Sequence, residues 1–297
     1  MPNHPLAEVF GFPCDNLTEK ATRYRRLKLC PFQNKVPNCT KDKADNPLGV
    51  CSVLHGNNIA ITCPVRFRQD WLIAEDAAAF FFPEKTSWTS LTEVRLNDKD
   101  GNTAGNIDVV LVSYDPAGKV TDFGALEIQA VYISGNVRRP FEHYMQKPEE
   151  RADMDWRKET SYPRPDYLSS SRKRLVPQLL YKGGILNAWK KKTAVALDEG
   201  FFATLPKLKK VDPKQADIVW LVYKLAFNES EKLNSLKRAE TVYTLFNESL
   251  DQIIRPEAGP PDDFIEKLQE KLDEKLEGNP PNTKTIDVER LGEIGTG

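Results

Sequence analysis

The distribution of cysteine is the feature that most constrains the fold of this chain. All 5 cysteines lie between positions 14 and 63, and the 234 residues that follow contain none. An odd number of cysteines argues against a disulfide framework. Free cysteines are typical of a reducing compartment, so we expect the protein in the cytoplasm. Residues 1–64 are also rich in Pro, Asn and Lys and have little apolar periodicity. This composition predicts a small N-terminal module ordered by a bound metal ion.

Four of the cysteines are the candidate metal ligands: Cys14, Cys30, Cys39 and Cys51. Four thiolates can close a tetrahedral site around zinc or iron. The gaps between them are 15, 8 and 11 residues, so the paired C-x2-C spacing of common zinc modules is missing. Buried free cysteines therefore remain the alternative. Cys63 ends an apolar run and precedes Pro64, and we interpret it as a structural thiol.

Charge is balanced over the whole chain but not along it. Lys plus Arg is 42 and Asp plus Glu is 43, which excludes a uniformly basic nucleic-acid binder. Residues 138–192 nevertheless contain fourteen basic and seven acidic residues, whereas residues 257–293 contain five and eleven. The basic segment predicts phosphate contacts, although a solvated surface is the alternative for any one residue. The candidates are Arg138, Arg139, Arg172, Lys173 and Arg174.

Apolar periodicity and turn residues predict the order of helices and strands. No run of 18 apolar residues and no secretory signal is present, so no membrane partner is expected. An Ala-rich helix is predicted before Pro83, followed by a meander of three strands separated by Asp-Gly and Asp-Pro-Ala-Gly turns. A buried strand and two further helices follow. The ranges are 67–82 for the first helix, 87–96, 106–114 and 121–133 for the meander, 218–227 for the buried strand, and 237–254 and 263–277 for the later helices.

Two strands of the meander contain carboxylates that could form a magnesium site. Asp108 lies inside the apolar run GNIDVVLV, where an ionised side chain is costly unless it has a partner. Glu127 and Gln129 share one face of the next strand because side chains alternate along a strand. Asp108 and Glu127 would bind Mg²⁺ through oxygen, and Glu93 could add a further carboxylate. On spacing alone, ordinary carboxylates at a sheet surface remain the alternative.

The pattern D-x(18)-E-x-Q resembles the D-x(n)-(E/D)-x-K signature of PD-(D/E)XK nucleases. Over residues 10–254, the chain resembles the NotI family of type II restriction endonucleases. The likeness is carried by the cysteine segment and by a series of motifs in a fixed order. These are ITCPVRF at 61–67, GNIDVVLV at 105–112, LEIQAVYISGNVR at 126–138, SSRKRLVPQLLYKGG at 170–184 and AETVYTLFNESLDQII at 239–254.

The resemblance implies a fold and a set of residue roles. The fold is an α/β PD-(D/E)XK core, a mixed sheet flanked by helices, with a small N-terminal metal-binding module that contains four cysteine ligands. Residues 1–64 would form the module, 65–256 the catalytic core and DNA-recognition elements, and 257–297 a charged C-terminal helix and tail. The catalytic residues would be Asp108, Glu127, Gln129 and the auxiliary Glu93, with Mg²⁺ on Asp108 and Glu127. Structural iron would be bound by Cys14, Cys30, Cys39 and Cys51. The chemistry of four thiolate ligands alone would favour zinc instead.

The resemblance also implies a function: Mg²⁺-dependent double-strand cleavage of DNA at a short, GC-rich palindromic site. A palindromic site suits a two-fold homodimer, and such enzymes are paired with a DNA methyltransferase. Two alternatives stay open. The chain could be a repair-type PD-(D/E)XK nuclease without palindromic specificity, or a metal-stapled DNA-binding protein without catalytic activity.

Overall fold

A computed structural model of the chain describes residues 2–33, 37–43, 45–255 and 258–277. The chain divides into two compact units, Met1–Ile254 and Arg255–Gly297. In the described ranges, no helix has the length and apolar character needed to cross a bilayer. The predicted C-terminal tail, from residue 278 onward, lies outside the described residues.

The N-terminal segment forms a four-stranded antiparallel sheet. Its spatial order is β2-β1-β3-β4, and helix α1 follows β2 along the chain. The Thr18 side chain caps α1 by accepting a hydrogen bond from the Ala21 backbone N–H. Buried residues of this sheet join the core of the whole first unit, so the segment has more apolar packing than its sequence suggested. The bounds are β1 Leu6–Val9, β2 Phe12–Pro13, α1 Glu19–Arg26, β3 Val50–His55 and β4 Asn58–Ile61.

The helix predicted at 67–82 is confirmed only in its second part. A 3-10 segment, Pro64–Trp71, leads into helix α2, Leu72–Phe81. Asp70 and Trp71 have φ values of 52° and 54°, a left-handed backbone that interrupts a continuous helix. The end near Pro83 agrees with the prediction.

The second sheet is mixed and has six strands in the order β12-β11-β10-β7-β6-β5. Strands β5, β6 and β7 form the predicted antiparallel meander. Strand β10 is parallel to both β7 and β11, and β12 is antiparallel to β11. The bounds are β5 Trp88–Asn97, β6 Thr103–Tyr114, β7 Val120–Gln129, β10 Thr193–Asp198, β11 Ile218–Asn228 and β12 Leu233–Thr244.

The remaining elements cover the six-stranded sheet. A two-stranded ribbon pairs β8, Tyr132–Ser134, with β9, Arg164–Asp166, and helix α3, Arg138–Gln146, lies between them in the chain. Residues 167–188 then form one unbroken helix, α4, in which Ser171–Leu175 and Leu179–Gly183 are π-helical. Helix α2 packs on one face of the sheet, and α4, a short helix α5 and helix α6 pack on the other. The bounds of the last two are α5 Glu199–Phe202 and α6 Phe246–Ile254.

The prediction of a helix over 237–254 is wrong in its first half. Residues up to Thr244 belong to β12, which pairs with β11 over eleven register positions, and only Phe246–Ile254 is helical. At the end of β12, the buried Val242 and Thr244 alternate with the partly buried Thr241 and Tyr243. Over so short a window, this period of two resembles the pattern of an amphipathic helix. Pairing with the buried strand β11 therefore determines that this segment is a strand and not a helix.

The second unit contains one described helix, α7, Pro261–Glu277, in agreement with the predicted helix at 263–277. Its apolar residues, spaced mainly four apart, are all exposed: Phe264, Ile265, Leu268, Leu272 and Leu276.

Candidate functional site

Strand β7 directs Glu127 and Gln129 toward helix α4. Their neighbours Leu126 and Ile128 belong to the core cluster on the α2 side of the sheet, and strand alternation sends Glu127 and Gln129 to the opposite side. Both side chains are buried. The structure therefore places the two predicted residues on one face, as their spacing required.

Asp108 lies on the adjacent strand β6 and reaches the same place. Its Oδ2 accepts a hydrogen bond from the Ile128 backbone N–H at 2.8 Å, so the carboxylate is fixed to the middle of the Glu-Ile-Gln triplet. Val110, two residues along β6, packs in the cluster that includes Leu186 of α4, which puts Asp108 on the α4 side too. The structure thus brings Asp108 and Glu127 together from neighbouring strands.

The Glu127 carboxylate is in an unusual environment. Burial raises its pKa to about 8, with a further contribution from the charge of Asp108, while Lys182 acts in the opposite direction. Its Oε2 accepts a hydrogen bond from Lys182 Nζ at 2.6 Å. Its Oε1 is buried, and apart from the neighbouring Asp108 carboxyl no side chain or backbone group of the described residues is hydrogen-bonded to it. A buried, unpartnered carboxylate oxygen beside a second carboxylate is a position that a cation would complete.

Lys182 is a site residue that the sequence reasoning missed. It lies in the π-helical segment Leu179–Gly183, its side chain is 5% exposed, and its ammonium also donates to the Asn106 carbonyl oxygen at 2.8 Å. Gln178, one helical turn earlier, accepts a hydrogen bond from the Gln129 side-chain amide. Both residues belong to the motif SSRKRLVPQLLYKGG. The sequence does contain a signal for Lys182: position 129 lacks the lysine of the general nuclease signature, and this motif contains a lysine that could replace it.

Glu93 lies at the level of the site but at its margin. On either side of it, Thr92 pairs with Val109 and Val94 pairs with Ile107, so Glu93 and Asp108 stand at matching positions of β5 and β6. Glu93 is exposed and has a left-handed backbone, with φ of 57°. Within the described ranges, the Glu93 side chain makes no hydrogen bond or ion pair, whereas Asp108, Glu127 and Gln129 are each held by one.

The backbone brings the cysteines together in two pairs that do not match the predicted ligand set. Cys30 and Cys39 approach through the bridge between Leu29 and Asn38. Cys51 and Cys63 approach through β3 and β4, where Thr62 N–H donates to the Cys51 carbonyl oxygen at 3.0 Å.

Neighbouring thiols also affect one another's pKa. Burial raises the pKa of Cys30 to about 11, and the charges of Cys63 and Cys39 raise it further. Burial likewise raises the pKa of Cys51, with contributions from Cys63 and Cys30. Cys63, interpreted from the sequence as a structural thiol, therefore neighbours the other three.

Cys14 has different surroundings. Burial raises its pKa to about 12, and the charged groups that act on it are Arg25, Asp15 and Glu8 rather than a thiol. Its Sγ donates to the Leu6 carbonyl oxygen at 3.7 Å. All five cysteines are free thiols. Across the described ranges, no three His, Cys, Asp or Glu side chains form a group that could hold a metal ion.

The predicted DNA-binding residues occupy two places. Arg138 and Arg139 on α3 are engaged in ion pairs, Arg138 with Asp42 and Glu142, and Arg139 with Glu159 at 3.0 Å. The other three, Arg172, Lys173 and Arg174, are exposed on α4, the helix that also contains Lys182.

Comparison with known proteins identifies the family of the chain. A family model described as "Restriction endonuclease NotI" matches residues 15–236, a span that includes Asp108, Glu127, Gln129 and Lys182. A search among curated proteins finds no match. The matched span contains three quarters of the chain and most of both sheets. The chain therefore belongs to the NotI family of restriction endonucleases.

Proposed function

We propose that the chain is a type II restriction endonuclease with a PD-(D/E)XK core, and that it makes Mg²⁺-dependent double-strand breaks in DNA at a short, GC-rich palindromic site. It would act as a homodimer in the cytoplasm, paired with a DNA methyltransferase. The family supplies the nuclease activity, and the observation that supports this site is the unpartnered Oε1 of Glu127 beside Asp108.

Asp108 and Glu127 would hold Mg²⁺, because a buried carboxylate oxygen without a partner fits a hard cation. When bound, Mg²⁺ would polarise the scissile phosphate and lower the pKa of the attacking water. Asp108 is oriented for this role by its hydrogen bond from the Ile128 N–H. The fixed geometry of two adjacent strands means that little reorganisation is needed on binding.

Gln129 would position the attacking water or a phosphate oxygen. Its amide offers donors and an acceptor but no charge. The hydrogen bond to Gln178 fixes its orientation against α4. Glu93, which is exposed at the matching position of β5, would act as an auxiliary acid at the edge of the site.

Contacts to DNA phosphates would come from Arg172, Lys173 and Arg174, because these residues are exposed on the helix that closes over the site. Arg138 and Arg139 would contribute by exchanging their exposed ion pairs for phosphates. Exposed ion pairs contribute only about 0–1 kcal/mol each, so that exchange is not costly.

A metal ion, iron or alternatively zinc, would be bound by Cys30, Cys39, Cys51 and a fourth thiol. The resemblance assigned Cys14 as the fourth ligand. The neighbours of Cys14 favour Cys63 instead, since Cys63 and not Cys14 acts electrostatically on the other three thiols. Four thiolates would suit either ion.

Digestion of a long, GC-rich DNA with Mg²⁺, followed by sequencing of the ends, tests this function. Discrete double-strand ends that share one palindromic consensus are expected. Scattered nicks would instead indicate a repair-type nuclease. Binding of the DNA without any cleavage would indicate a non-catalytic DNA-binding protein.

A further inference from the structure

The strand position that contains lysine in the general nuclease signature is occupied by Gln129 in this chain. A lysine there would provide a positive charge next to the two carboxylates. Glutamine retains hydrogen bonding but not the charge. The site residues on β6 and β7 therefore include no positively charged side chain.

Lys182 brings an ammonium to the same place from helix α4. Its Nζ lies 2.6 Å from Glu127 Oε2 and 2.8 Å from the Asn106 carbonyl oxygen, which is on the strand that contains Asp108. An ammonium has three N–H donors, and these two contacts use two of them. One donor thus remains for a further acceptor at the site.

The local structure of α4 favours a functional role for this lysine. Burying a lysine is costly even when it is paired, and a purely structural pair could be replaced by apolar side chains. Lys182 also lies in a π-helical segment, a distortion that is frequent at functional sites because it redirects the side chains of one turn. Here it places Lys182 and Gln178 against the Glu-Ile-Gln triplet.

We infer that Lys182 is a catalytic residue that replaces the missing strand lysine by donating a hydrogen bond to the scissile phosphate. This inference rests on the proposed function. In the hydrolysis, the oxygen of water forms a bond to phosphorus and the bond from phosphorus to the leaving sugar oxygen breaks. The water gives up one proton to solvent, and the leaving oxygen receives one. Lys182 keeps its proton and stabilises the negative charge that develops on the phosphate.

Three variants test this assignment on a duplex that contains the mapped site. Lys182→Met removes the charge, and Gln129→Lys/Lys182→Met returns a lysine to the strand position. Lys192→Met is the matched control, because the Lys192 ammonium is half-buried and donates to the Phe80 carbonyl oxygen at 2.8 Å. Lys182→Gln substitutes for Lys182→Met if the latter does not fold.

At saturating Mg²⁺, Lys182→Met should lower the single-turnover cleavage rate about 10²- to 10³-fold, the usual effect of removing one donor to a developing oxyanion. The Gln129→Lys/Lys182→Met variant should recover at least about tenfold of that loss. Lys192→Met should cut at the wild-type rate. A Lys182→Met enzyme that cuts as fast as wild type, or a double variant no faster than Lys182→Met, would overturn the assignment.

Calorimetric titration with Ca²⁺, without DNA, gives a readout that does not depend on activity. The titration is done at a pH high enough to keep Glu127 ionised in both proteins, because Lys182 lowers the pKa of Glu127. Under that condition Lys182→Met should bind Ca²⁺ at least as tightly as wild type, because the ammonium no longer competes for Glu127. A clear loss of Ca²⁺ affinity would mean that Lys182 only positions Glu127. If the wild-type protein cuts no DNA, the proposed function fails. If wild type cuts and Lys182→Met cuts equally well, only the role of Lys182 fails.

Discussion

Replacing Arg66 by methionine would remove one half of a buried ion pair that joins the N-terminal sheet to the rest of the first unit. Arg66 and Glu8 are both fully buried, with Arg66 Nε 3.0 Å from Glu8 Oε2. The guanidinium also donates to the Asn234 carbonyl oxygen at 2.8 Å and to Gln69 Oε1 at 2.7 Å. The loss would leave the Glu8 carboxylate buried without its counter-ion.

The expected loss of stability is about 3–5 kcal/mol, the usual effect of leaving one buried charge uncompensated. That is a large fraction of a typical unfolding free energy of about 5–15 kcal/mol. Urea unfolding followed by tryptophan fluorescence measures it as a fall in the midpoint. The variant Glu8→Met/Arg66→Met should be more stable than Arg66→Met, because neither charge is left alone.

Arg68→Met is the matched control for this prediction. Arg68 is half-buried two residues away, and its guanidinium lies over the Trp71 ring at 6.0 Å. Its replacement should cost less than about 1 kcal/mol, as for most partly exposed side chains. Equal falls in the midpoint for Arg66→Met and Arg68→Met, or a double variant less stable than Arg66→Met, would show that the buried ion pair does not have this role.

Three further predictions concern other parts of the chain. Burial raises the pKa of Asp198 to about 6, so its proton is bound more tightly in the folded state and its contribution to stability falls as the pH rises from about 4 to about 6. Asp198→Asn keeps an acceptor for the Phe201 N–H but loses the one for the Ile61 N–H, so it should begin less stable than wild type near pH 4 and gain on wild type as the pH rises to about 6. A difference in unfolding free energy between the two proteins that is the same at both pH values would contradict this. Metal analysis of purified protein should find the bound iron or zinc lost in Cys63→Ser and kept in Cys14→Ser, and the reverse result would restore the ligand set that the resemblance implied. A Cβ at Gly124 would clash with the Phe81 ring, so Gly124→Ala should lower the urea midpoint by an amount that corresponds to about 1–3 kcal/mol. In helix α4, a Cβ at Gly184 meets no described atom within 4 Å, so Gly184→Ala should raise the midpoint by an amount that corresponds to about 0.5–1 kcal/mol, because alanine favours a helix more than glycine does.

The meander and its acidic residues could be predicted from the sequence because their evidence is local. Asp108 is a charge in an apolar strand, and Glu127 and Gln129 are separated by one residue, so alternation places them on one face. Turn residues fix the order of the strands. These are properties of short windows, and folding does not override them.

The residues that were missed depend on contacts between distant segments. Lys182 lies in a basic stretch that reads as solvated, and only the packing of α4 against β6 and β7 buries it. The pairing of β3 with β4 brings Cys63 toward Cys51, whereas the residues next to Cys63 in the sequence suggest a structural role. The sequence of 237–244 predicts a helix, but pairing with the distant strand β11 makes this segment part of β12.

We propose that Asp108 and Glu127 form the site that cuts DNA. Cleavage of a GC-rich DNA by wild type and by Asp108→Asn, each with Mg²⁺, tests it most directly, with DNA binding measured in Ca²⁺ as the companion reading. The amide of the Asp108→Asn variant retains an oxygen that can accept the Ile128 N–H, so the fold should persist. We predict that Asp108→Asn binds DNA as wild type does and does not cleave it. Cleavage by Asp108→Asn at the wild-type rate would contradict the account.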